Sequence, residues 1–62
     1  MNLATACKIV QDFADEYENG DILEGAKLMD IHNELGLLED SQRLAIGMFM
    51  TAGREMFAAK GA

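Results

Sequence analysis

Asn19-Gly20-Asp21-Ile22-Leu23-Glu24 ends one helix and starts another. Asn and Gly both tolerate the left-handed backbone that closes a helix C-terminus. Asp21 then offers a carboxylate to the first unpaired N–H groups of a new helix, and Glu24 stands three residues on, the spacing of a capping box. A helix–turn–helix corner is the reading, and it decides the fold class. Upstream, Leu3, Ala6, Cys7, Val10, Phe13, Ala14 and Tyr17 recur at helical intervals on one arc, with Lys8, Asp12 and Asp15 opposite. Asn2 is suited to cap that first helix.

Downstream, Ile22, Ala26 and Met29 line one side of a second helix, and Leu28, Ile31 and Leu35 line another. Gly36 is placed as the left-handed residue after its last turn, with Leu37 folding back over it. A third helix begins at Asp40 or Ser41. There Ala45, Phe49, Ala52, Met56 and Ala59 are spaced four, three, four and three, a heptad-like seam. Ile46, Met50, Gly53 and Phe57 run beside it. The spacing predicts an all-α chain, with helices over about 2–18, 21–35 and 40–59 packed as one domain spanning residues 1–62. Short connections make successive helices antiparallel neighbours.

The chain has 62 residues, no Pro, no Trp and one Cys. One Cys excludes an internal disulfide and a four-cysteine zinc site. A core this small is marginal without a staple or a partner. Apolar residues cover a wide arc of the third helix, so the sequence predicts a homodimer. Its interface is expected at Ala45, Ile46, Phe49, Ala52, Gly53, Met56 and Phe57. The methionines, Met29, Met48, Met50 and Met56, suit a core or an interface as flexible gap-fillers.

Net charge is −6, from five basic and eleven acidic residues. Such a surface repels phosphate backbones and anionic membranes, so direct nucleic-acid or membrane binding is not expected. Asp12, Asp15, Glu16 and Glu18 form an acidic run that reads as a solvated face or as a docking face for a basic partner. The longest uncharged apolar run, Leu44 to Gly53, has half the length that a membrane span of ~20 residues needs. No secretory signal is visible, and the expected location is the cytoplasm.

The chemistry-bearing residues are few. Asp15 to Ala26 partly overlays a calcium-binding loop, but Tyr17 and Ala26 stand where oxygen ligands are required. Cys7 and His32 form a nominal dyad with no feature that would activate the thiol. No catalytic site, cofactor or metal is expected. The sequence predicts a small non-enzymatic interaction module: an adaptor, regulator or inhibitor that binds another protein. Its size is common among bacteriophage and plasmid accessory proteins. The alternative is a nucleic-acid-directed regulator, either a helix-turn-helix reader or an acidic DNA mimic.

Overall fold

The computed structural model describes residues 1–17, 19–53 and 55–56, and the described residues form an all-α, three-helix chain. Helix α1 spans Leu3–Tyr17, α2 Ile22–Glu34 and α3 Asp40–Met48. A π-helical turn, Phe49–Gly53, continues directly from α3. Residues 57–59, the expected end of the third helix, lie outside the described residues.

The caps follow the residues that demand them. Asn2 Oδ1 accepts the Thr5 N–H at 2.8 Å. Asp21 Oδ1 accepts the N–H groups of Leu23 and Glu24 at 3.1 and 3.3 Å. Glu24 turns outward to pair with Lys27 at 3.2 Å. The Glu39 N–H donates to Gln42 Oε1 at 2.9 Å, the side-chain return that a capping box needs. At the end of α2 the Leu37 N–H reaches the His32 carbonyl at 3.0 Å, and the Gly36 N–H reaches that of Asn33 at 3.1 Å. With Gly36 at φ +72°, this is a Schellman ending. Between α1 and α2 the chain reverses through Asn19 at φ +55° and Gly20 at φ +87°.

Helix α1 is the central element and packs against both α2 and α3. Ala6, Val10, Phe13 and Ala14 form its buried face. Ile22, Ala26 and Met29 come in from α2, and Ala45, Ile46 and Phe49 from α3 and its π-helical extension. Of the second apolar row of α2, only Leu28 packs against the core, half-buried, whereas Ile31 and Leu35 are exposed.

The third helix departs from the heptad reading. The buried row runs Ala45, Phe49, Gly53, in steps of four and four. Ala52 and Met56, the next two members of the heptad seam, face water. The π-turn causes this, because it holds one residue more than an α-turn and shifts everything after Phe49 by one position. The choice of Gly53 over Ala52 has a steric reason. A Cβ at position 53 would stand 3.0 Å from Phe49 Cδ2, 3.2 Å from Leu3 Cδ1 and 3.3 Å from Cys7 Sγ.

Candidate functional site

The residues expected at a homodimer interface are divided by the structure. Ala45, Ile46, Phe49 and Gly53 are buried within a single chain. Ala52 and Met56 are exposed. Phe57 lies outside the described residues. The seam therefore does not form one continuous outward face, since its first half is already used by α1 and α2.

The outward face of α3 is built from other residues. Leu44, Gly47, Met48, Thr51 and Ala52 line a shallow groove of about 490 Å³, with Arg43 at its edge. Thr51 Oγ1 donates to the Gly47 carbonyl at 2.8 Å, so those two polar groups satisfy each other. A second shallow groove lies between Asn33 of α2 and Asp40, Arg43 and Leu44 of α3. The end of α2 and the start of α3 thus share one edge, with Leu35 and Leu37 exposed in the turn between them. A smaller cleft, of about 250 Å³, has Ala26, Phe49 and Met50 at its apolar side and Asp21, Glu24 and Lys27 at its rim.

Asp12, Asp15 and Glu16 are exposed on one side of α1, and Glu18 lies outside the described residues. Lys8 pairs with Asp12 at 3.3 Å, and Asp15 Oδ1 accepts from Gln11 Nε2 at 3.0 Å, so this face is partly tied down within its own helix.

His32 and Cys7 are not brought together. The His32 ring lies with Phe13 and Tyr17, at centroid distances of 5.4 and 5.8 Å. Phe13 and Tyr17 themselves stack at 4.6 Å. His32 Nδ1 lies 2.9 Å from the Leu28 carbonyl, which calls for the Nδ1–H tautomer or the imidazolium. Cys7 sits beside Gly53. Its position on α1 is six residues before Phe13, about 9 Å along the axis. The sequence places Tyr17 on the apolar arc but does not reveal this aromatic cluster. The signal was an aromatic ring and an imidazole at the ends of two antiparallel helices that meet at one corner.

In the stretch that overlays a calcium loop, residues 15–17 end α1 and residues 22–26 begin α2. Tyr17 belongs to the aromatic cluster and Ala26 to the core. Among the described residues, no group of three or more His, Cys, Asp or Glu side chains could hold a metal ion. No helix among them is long and apolar enough to cross a membrane. Helix α3 opens on Glu39 and Asp40, carboxylates that oppose approach to a phosphate backbone. No protein-family model, curated protein or solved structure matches the chain.

Proposed function

We propose that the chain is a small non-enzymatic protein-interaction module, an adaptor, regulator or inhibitor of the cytoplasm that associates with itself and acts by binding another protein. One observation carries this reading. Leu35, Leu37 and Leu44 are 66%, 64% and 65% exposed at the corner where α2 passes into α3. Ile31 adds a further exposed apolar side chain at the end of α2. Large apolar side chains left in water mark a protein contact surface where they join into one patch, which is how this reading takes them. Asp12, Asp15 and Glu16 supply a second, acidic surface that suits a basic patch on a partner.

Photo-crosslinking tests the reading. A photoreactive residue at position 37 is expected to give one discrete adduct in a lysate of the source cells. Excess unlabelled chain competes it away, and a Leu35→Ser/Leu44→Ser chain competes poorly. Absence of any adduct above an Asp12-labelled control would overturn the apolar-corner reading. An adduct from position 12 alone would move the contact to the acidic face.

A further inference from the structure

Three described glycines lie within helical turns, and the fold explains two of them. A Cβ on Gly25 would stand 2.3 Å from the Ala14 Cβ, and one on Gly53 3.0 Å from Phe49. Gly47 is different. A Cβ there would meet nothing within 4 Å, and its φ is not positive. Glycine is the poorest helix former after proline, and nothing among the described residues requires it at this position. Its usual structural use is to let another backbone come close.

Gly47 lies in the outer groove of α3, between the exposed Leu44 and Thr51. Arg43, Gly47, Thr51 and Glu55 follow one another at intervals of four, and all are exposed. In an α-helix such a row winds away from the axis. The π-turn Phe49–Gly53 advances each residue by less than the ~100° of an α-helix, which keeps Gly47, Thr51 and Glu55 nearly in line. The row begins with a cation and ends with an anion. Twelve residues separate them, about 18 Å of helix, so they cannot meet within one chain. Arg43 pairs locally with Asp40.

The charge distribution selects the occupant. Residues 1–36 set Lys8 and Lys27 against eight carboxylates, whereas residues 37–62 hold three of each sign. Among the described residues, α3 and its flanks set Arg43 against Glu39, Asp40 and Glu55, a smaller acidic excess than the two lysines against seven carboxylates of the first two helices and their caps, so two copies press least like charge together there. In a reversed copy the row is its own complement, with Arg43 opposite Glu55 at both ends and Gly47 opposite Thr51 at the centre.

We propose that this groove is a two-fold self-pairing surface: α3 of a second copy lies antiparallel across Gly47 and Thr51, with Arg43 of each chain facing Glu55 of the other. The inference rests on the reading of the chain as a self-associating module and assigns that association a surface. Sedimentation equilibrium of the full chain tests it. The wild type is expected to be dimeric. Arg43→Glu and Glu55→Arg are each expected to raise the dissociation constant about five- to tenfold. The double reversal is expected to restore it to within about twofold of wild type, because the pairs re-form with opposite sense. Gly47→Leu fills open space in the monomer and is expected to abolish pairing with helix content by circular dichroism unchanged. A dimer indifferent to all four variants would overturn the proposed surface while leaving self-association standing. A wild-type chain that stays monomeric at high micromolar concentration would overturn self-association itself.

Discussion

Gly25 and Ala14 meet where α2 crosses α1, so closely that a Cβ on Gly25 would lie 2.3 Å from the Ala14 Cβ and 2.6 Å from its Cα. The obstacle includes backbone, so no side-chain rotation relieves it. Gly25→Ala gains up to ~1 kcal/mol of helix propensity. It must also drive the two helices apart, and overpacking of this kind costs about 1–3 kcal/mol or more. We expect a net loss of about 2 kcal/mol, read from the urea midpoint.

Phe49 is wholly buried between α1 and α2 although it begins the π-turn. Phe49→Ala is expected to cost about 3–5 kcal/mol, comparable with the whole stability of a chain this small. Far-UV circular dichroism at low micromolar concentration is expected to show a largely unfolded chain. If helix content survived and only the dimer were lost, Phe49 would be an interface residue, as the heptad spacing alone suggests.

Calcium is expected to have no effect. Asp15 is engaged by Gln11, and the position that would need a bidentate carboxylate is the core residue Ala26. A differential scanning measurement with millimolar calcium is expected to match one with chelator. Specific binding would raise the midpoint through mass action.

Cys7 is half-buried, with its Sγ against the surface where Gly53 closes on α1. A thiol so placed reacts through local opening, and we expect labelling at least about tenfold slower in the folded chain than in denaturant. Cys7→Ala is expected to cost about 1 kcal/mol, with the fold retained. Equal labelling rates in the two states would show that α1 does not hold its docked position.

The sequence makes α1 and α2 readable because their signals are local. Asn2, Asp21 and Gly36 cap within three residues of themselves, and Ala6, Val10, Phe13 and Ala14 repeat at a helical period. The third helix has an equally clear period and misleads. Whether Ala52 or Gly53 turns inward depends on the space left by Leu3 and Cys7, about fifty residues earlier in the chain. The same holds for Gly25, whose necessity lies in Ala14. At the candidate site, the sequence supplied an apolar surplus on the third helix but not which side was already covered. By residue type alone Leu35, Leu37 and Leu44 suit a core as well as the buried Ile22 and Ile46 do, and only the packing shows that they are exposed.

A π-turn stores one residue more than a straight helix needs, which makes α3 tolerant of a change in length. Removing Thr51 would let an ordinary α-helix run from Asp40 past Phe49 and deliver Gly53 to the same inward spot, four residues' travel shortened to three. We expect that deletion to melt near the parent temperature, whereas deleting one residue inside α1 turns its buried face away and unfolds the chain. The deletion also removes the centre of the Arg43–Glu55 row. A chain one residue shorter would thus retain its shape and lose its attraction to its own copy, so length rather than composition would govern whether this surface pairs.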